Sequence, residues 1–373
     1  MKICIIGGRL QGTEACYLAR ACGMESVLID IDPEVPAAGL ADHFIAGDLI
    51  AEDEEAIRAF RSCDLILPAN ENDALLDKIC QLAERYDIPL AFDPDAYRIT
   101  ESKLKSDRLF KENGIPCPKY YPDGRAPYVM KPSEGSGSTG VMKLDTREAT
   151  EEYLKRAASG DIIQEYLEGP SYSIEVIGRP GNYRTYTVTE VHVDEGYDCY
   201  MITSPVDIPK DKLDRFSEIA IKIAELVKLK GIMDVEVIDD GEDLKVLEID
   251  ARIPSQTPIA VLKTSGMNLL KELADVTLYG DFRDPNTAEG GSGEIFSAYE
   301  NYEKTGGIIS AHGEHIMRNA GHLTYRENFL GSMESMTDYR DGESNFRGIF
   351  INWGKDKEEV FKWRNTLLHR QKD

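Results

Sequence analysis

The feature that most constrains this chain is residues 231–257, GIMDVEVIDDGEDLKVLEIDARIPSQT. It reads as two strands joined by an acidic turn. Side chains alternate along a strand, so Asp234 and Glu236 share one face of the first. Glu248, Asp250 and Arg252 share one face of the second. Four carboxylates and one guanidinium therefore converge on one region. Like charges at that density are unstable unless a cation lies among them. An all-oxygen donor set suits magnesium, which keeps positions for water and phosphate oxygens. The fold must therefore present this strand pair at a site where ATP reacts.

The rest of the sequence supplies what such a site needs. KPSEGSGSTG at 131–140 follows a strand-like run, with Lys131 ahead of the glycines. A loop of that kind folds over phosphates, with backbone amides and one lysine as donors. It is not a Walker A motif, in which lysine closes the glycines. An ordinary hairpin is the bland alternative. GGRLQG at 7–12 follows a strand and opens a helix, and Asp30 comes where a dinucleotide site places its ribose-binding acid. The glycine spacing departs from G-x-G-x-x-G. A tight turn, a substrate carboxylate site and an NAD site are the three readings.

Residues 1–97 alternate strand and helix, which predicts a parallel, Rossmann-like sheet. KICIIGG, SVLID, DLILPAN and IPLAFD are its four strands. Ligands at such sheets bind beyond the carboxyl ends of the strands. Residues 98–290 are mixed, with a helix to about residue 113, strands through IIQEYLEG and SYSIEVIG, and a helix near 211–228. Residues 291–373 are Gly-rich and end in a helix. The formal net charge of −24 disfavours nucleic acid and anionic membrane as partners. No apolar run approaches the roughly 20 residues of a membrane span. Seven scattered cysteines without a CxxC pair read as reduced thiols, and the chain as cytoplasmic. Nothing in the sequence fixes an oligomeric state. His312 and His315 read as structural, for want of a third ligand.

In order, an N-terminal α/β region, Lys103 ahead of GIPCP, KPSEGSGSTG, IIQEYLEG and VEVI…VLEIDAR resemble the ATP-grasp carboxylate–amine ligases. The resemblance implies an ATP-grasp fold (α/β, α+β overall) with a Rossmann-like pre-ATP-grasp domain at 1–97. It implies a core at 98–290, whose residues 115–166 form a small lid lobe, and a C-terminal subdomain at 291–373. ATP and Mg2+ are the implied cofactors. Lys103 and Lys131 would contact nucleotide phosphates, and Ser133, Gly137 and Ser138 would belong to a phosphate-covering loop at 133–141. Gln164, Glu165, Leu167 and Glu168 would line adenine and ribose. Glu236, Glu248 and Asp250 would bind the metal, although the family often has Asn at the position of Asp250. Arg252, with Lys131, would stabilise the reacting phosphoryl and acyl groups.

IIGGRLQGTEA, LPANENDALL, FDPDAYRIT, IDARIPSQTP and GGIISAHGEHIMR narrow the resemblance to the branch acting in pyrrolysine biosynthesis. That implies 3-methyl-D-ornithine and L-lysine as substrates, joined through an acyl phosphate. Leu10 and Gln11 would meet a substrate carboxylate. Glu71, Asn72, Ser173 and Glu175 would pair with ammonium groups. Ser255, Gln256 and Thr257 would hold the acyl donor. Asp234 is placed as a substrate-pairing or supporting acid, with proton acceptor for the amine as the alternative. Another ATP-grasp amino-acid or purine-pathway ligase, or an NAD-dependent oxidoreductase, are the competing functions.

Overall fold

The computed structural model describes residues 1–133, 140–157, 160–283 and 295–369. The chain begins with β1 (Lys2–Ile6), α1 (Leu10–Ala21), β2 (Glu25–Asp30), β3 (His43–Ala46), α2 (Glu54–Arg61), β4 (Leu65–Pro68) and α3 (Asp73–Tyr86). The strands are parallel, in the order β3-β2-β1-β4. Ile3, Cys4 and Ile5 are fully buried, as a strand covered by helices on both faces requires. Two expectations fail here. The short strand β3 is absent from the sequence reading, because HFIA lies at the sheet edge, only partly buried, and carries no strong apolar pattern. IPLAFD is not a fourth strand but one bridge, between Ile66 and Leu90. Pro89 has no N–H to give a ladder.

Asp93 caps α4 (Pro94–Thr100) by accepting from the amides of Asp95 and Ala96. Then α5 (Lys103–Asn113) ends at Gly114, in the left-handed region at φ +61°. A small antiparallel sheet follows, built from β5 (Tyr128–Lys131), β6 (Met142–Leu144) and β7 (Ile162–Glu165), with β5 central and α6 (Arg147–Leu154) between β6 and β7.

The third sheet contains β8 (Ser171–Arg179), β9 (Asn182–Thr185), β10 (Thr189–Val193), β11 (Cys199–Ser204), β12 (Gly231–Asp239), β13 (Leu244–Asp250), β14 (Phe296–Thr305), β15 (Ile308–Ala311), β16 (Thr324–Glu327), β17 (Glu334–Thr337) and β18 (Phe346–Gly354). Its path among the described residues is β13-β12-β8-β10-β11-β14-β18-β17-β16, with β9 on β8 and β15 on β14. The tail extends this sheet, since β14 pairs with β11 from Met201–Glu300 to Ser204–Ser297. Helices α7 (Lys210–Val227), α8 (Thr257–Ser265), α9 (Leu269–Tyr279) and α10 (Lys357–His369) cover it.

The first sheet is fixed to the third through α1. Glu14, fully buried, accepts the Ile259 amide at 2.7 Å and so satisfies an orphan donor at the start of α8. Asn268 Nδ2 donates to the Leu18 carbonyl at 2.9 Å. Leu18, Ile259 and Leu270 share one core. This docking brings the carboxyl ends of β1 and β4 over the acid strands. Among the described residues no helix is long and apolar enough to cross a membrane.

Candidate active site

β12 and β13 pair antiparallel, placing Asp234 opposite Asp250 and Glu236 opposite Glu248. On the other side, β8 sets Glu175 beside Asp234 and Ser173 beside Glu236. The alternation is enforced from behind: Val235, Val237 and Ile249 are fully buried in a cluster with Phe216, Ile219 and Ile223 of α7. The carboxylates must then face the other way. Arg252 lies beyond the end of β13, yet it still reaches the cluster. One of its terminal nitrogens is 3.0 Å from Asp250 and 2.8 Å from Glu71 at the end of β4.

The electrostatics follow from crowding in a dry place. Burial first, and then the charges of Glu248 and Asp250, push Glu236 up to about 7. Burial also pushes Asp250 up to about 7, against the pull of Arg252. Asp234 stands well above the usual carboxylate range, through burial and then through Asp250. One of its oxygens has no hydrogen-bond partner. Burial pushes Lys131 down from the ordinary lysine value, against the field of Glu248 and Asp107. Lys103 Nζ lies 2.6 Å from Glu248 Oε1. Among the described residues no three of these acids close into a cage by themselves. Glu248 turns to Lys103 and Asp250 to Arg252. That still fits magnesium, which takes one or two carboxylates and completes its shell with water and phosphate. The raised values of Glu236 and Asp234 mark the charge deficit that such an ion would relieve.

A cavity of about 360 Å³ lies between the small sheet and the acid strands. Lys103, Lys131, Gln164, Glu165, Leu167 and Glu168 line it, with Ile238 and Leu247 as an apolar floor. Gln164 is buried, and its Nε2 is 3.4 Å from Asp107. Asp107 is a residue that no motif marked; burial lifts it to about 6. Glu165 accepts the Lys119 amide at 2.9 Å, so part of its carboxylate is structural. Ser133 accepts the Lys103 amide through its carbonyl and does not line the cavity. Gly137 and Ser138 lie outside the described residues.

A second cavity, about 730 Å³, opens beneath the carboxyl ends of β1 and β4. Leu10, Gln11, Glu71, Asn72, Asp234, Ser255 and Thr257 line it. Gln11 Nε2 donates to Glu71 at 2.9 Å. Asn72 has a structural duty as well: its side-chain oxygen caps α3 by accepting the Leu75 amide at 3.0 Å. Three further residues line neither cavity. Ser173 and Glu175 share the face of Glu236 and Asp234 but are buried there, at 1% and 0% exposure. Gln256, at φ +72°, turns inward, donating to Glu314 and accepting from the Cys199 thiol at 3.2 Å. It positions the wall instead of contacting the space.

Sequence reasoning missed Asp198, Glu314 and Arg318, which also line the large cavity. They come from the β10–β11 hairpin and the tail, and only the pairing of β14 with β11 makes them neighbours. His315 joins Asp198, His312 meets Ser310 at 2.7 Å and His192 meets Thr203 at 2.9 Å, all structural contacts. Asp30 accepts from the amides of Gly8 at 2.7 Å and Asp32 at 2.9 Å, so its carboxylate holds its own loop. Gly12 is required by packing, since a Cβ there would sit 2.0 Å from the Gly7 carbonyl oxygen.

The two cavities share Val191, Val193, Tyr197, Glu236 and Glu248. They are two rooms with the acid pair in the common wall.

Comparison with known proteins gives the same picture from another side. The ATP-grasp domain family matches residues 100–256. The 3-methyl-D-ornithine–L-lysine ligase of Methanosarcina acetivorans is 41% identical over 271 residues, 73% of this chain and 72% of that protein. The biotin carboxylase of Campylobacter jejuni, solved with β,γ-ATP, shares the fold at a TM-score of 0.72 and 14% identity, covering 100% of this chain and 95% of that one. The biotin carboxylase domain of the Hydrogenobacter thermophilus 2-oxoglutarate carboxylase, solved with MgADP, ADP and bicarbonate, matches at a TM-score of 0.72 and 15% identity, covering 99% and 89%.

Proposed function

The chain belongs to the family of the 3-methyl-D-ornithine–L-lysine ligases, ATP-grasp enzymes that form amide bonds, and from that premise we propose that it joins the carboxylate of 3-methyl-D-ornithine to the ε-amine of L-lysine in pyrrolysine biosynthesis. One observation carries the reading beyond membership. A cavity bearing two lysines meets a larger, acid-rich cavity at Glu236 and Glu248. That is the geometry needed for phosphate in one room to reach a carboxylate in the other.

A carboxylate is a poor acyl donor because oxide would have to leave. Phosphorylation by ATP supplies a better leaving group, and the work of the protein is positioning and charge neutralisation. Lys103 and Lys131 hold phosphate oxygens, and Gln164 to Glu168 line the base and ribose. Glu236 and Glu248, with Asp250 beside them, would hold magnesium, which supplies charge neutralisation on the phosphate oxygens. Arg252, fixed by Glu71 and Asp250, faces the reacting acyl group and stabilises charge that grows there. The amides of Leu10 and Gln11 open α1 and are free of intrahelical partners, so they suit a substrate carboxylate. Both substrates carry ammonium groups, and the carboxylates of Glu71, Asp234 and Glu314 give the large cavity the matching sign. The lysine ε-amine has a reference pKa near about 10.4 and must lose a proton before it attacks. Asp234, buried and short of a partner, supports that amine.

Purified protein with Mg2+ and ATP should release ADP only when both amino acids are present, and mass spectrometry should find the amide. ADP release that ignores both, or that follows other amino acids, would overturn the assignment of substrates.

A further inference from the structure

We propose that Tyr197 is a positioning residue that closes the seam between the two cavities and keeps water from the activated acyl group. The inference rests on the ligase reading above.

Tyr197 is the penultimate residue of the hairpin between β10 and β11. Its backbone is left-handed, at φ +63°. Bulky residues avoid that region because the side chain crowds the backbone there. A glycine stands next to it at 196, yet the left-handed position falls to the tyrosine. The surroundings enforce this. Asp194 accepts the amides of Gly196 at 2.7 Å and Asp198 at 3.1 Å, and the Tyr197 amide donates to the Asp194 carbonyl at 3.0 Å. On the far side, Asp198 accepts the His315 amide at 3.2 Å. The hairpin is therefore held at both ends.

The ring that this strained backbone carries is half-buried and lines both cavities, as Val191, Val193, Glu236 and Glu248 do. It meets the ring of Tyr166 edge-on, with centroids 6.4 Å apart. Tyr166 follows β7, its amide donates to the Pro127 carbonyl at 2.8 Å, and Lys143 of β6 stands 4.0 Å over its ring. An aromatic bridge thus spans from the large sheet to the small one, at the seam whose shared lining includes Glu236 and Glu248. Its place is where an acyl phosphate would form.

That intermediate has two fates. The amine nitrogen attacks the acyl carbon, the bond from carbon to phosphate oxygen breaks, phosphate leaves and the nitrogen loses a proton. Water attacking the same carbon breaks the same bond, returns the carboxylate and wastes one ATP as ADP and phosphate. Excluding water decides between them.

The test is the ratio of ADP released to amide formed. Tyr197→Gly removes the ring and relaxes the left-handed backbone, so the fold should keep or gain stability by thermal melt. The ratio is near one in the wild type and rises about tenfold in Tyr197→Gly, the change that ~1.4 kcal/mol of lost discrimination produces. Tyr197→Phe, which keeps the ring, holds the ratio near one. A Tyr197→Gly enzyme whose ratio stays near one, whatever its turnover, would overturn the proposal and leave Tyr197 as hairpin structure. Wild type that releases no ADP with both amino acids present would instead overturn the ligase reading.

Discussion

Lys103 and Glu248 form an ion pair at 2.6 Å that ties the first turn of α5 to the outer acid strand. One member of a repelling carboxylate group is thereby already neutralised by a residue that also faces the phosphate side. Two consequences can be separated. Glu248→Gln should lower kcat by on the order of 10²–10³-fold, the scale for losing one preorganised charge group. It should also abolish most of the thermal shift given by MgATP, because ligand binding stabilises only as far as it favours the folded state. The melting temperature without ligand should hold, since the lost pair is part-exposed and the variant relieves repulsion on Glu236. A wild-type kcat, measured by ADP release, would remove Glu248 from the site.

Arg252 is gripped by Glu71 at 2.8 Å and Asp250 at 3.0 Å. A lysine in its place offers a point charge without the planar fork. Arg252→Lys is expected to lose most of what Arg252→Gln loses, about 10²-fold or more in kcat. Steady-state ADP formation checks this, and full rescue by lysine would show that charge alone suffices.

Glu71 and Asn72 are neighbours with different duties. Asn72→Ala removes a helix cap and should cost about 1 kcal/mol of stability. Glu71→Gln removes a carboxylate that holds Gln11 and Arg252, and should raise KM for an amino-acid substrate with a smaller effect on melting. Thermal melts paired with KM for each substrate separate the two; a large KM effect in Asn72→Ala alone would reverse the assignment.

The pairing of the acid strands, and the placing of Lys131 and residues 164–168 along one cavity, were legible because each is a local pattern. Period-two alternation in VEVI and VLEID fixes which side chains share a face, and a lysine ahead of a glycine-rich loop needs no tertiary knowledge. What was not legible was either long-range or locally ambiguous. Asp198 and Glu314 enter the site only because β14 continues the central sheet, 116 positions apart in sequence but beside one cavity. Alternation placed Ser173 and Glu175 on the face of Asp234 and Glu236, but not the depth at which that face is buried. Asn72 is a polar residue before a helix, and such residues serve as caps as readily as ligands.

The buried acid at the joint between the sheets gives a pH prediction. Burial, opposed by the amides of Ile259 and Gln256, pushes Glu14 from 4.5 up to about 8. In an unfolded chain it ionises near 4.5, so between 4.5 and about 8 unfolding releases a proton. Its stabilising contribution is complete below 4.5 and is lost as pH rises through about 8. Glu175, lifted by burial to about 7, acts in the same direction over a narrower window. Glu52, exposed and held down at about 2 by Arg85 and Lys78, changes only below this range. Melting temperature should therefore fall from pH 5 to pH 9 in the wild type. Glu14→Gln keeps an acceptor for the Ile259 amide but cannot ionise, so its decline should be shallower, with the difference accumulating from pH 5 to about 8 and levelling off above. Parallel curves would mean that Glu14 stays charged in the folded protein, held there by the start of α8.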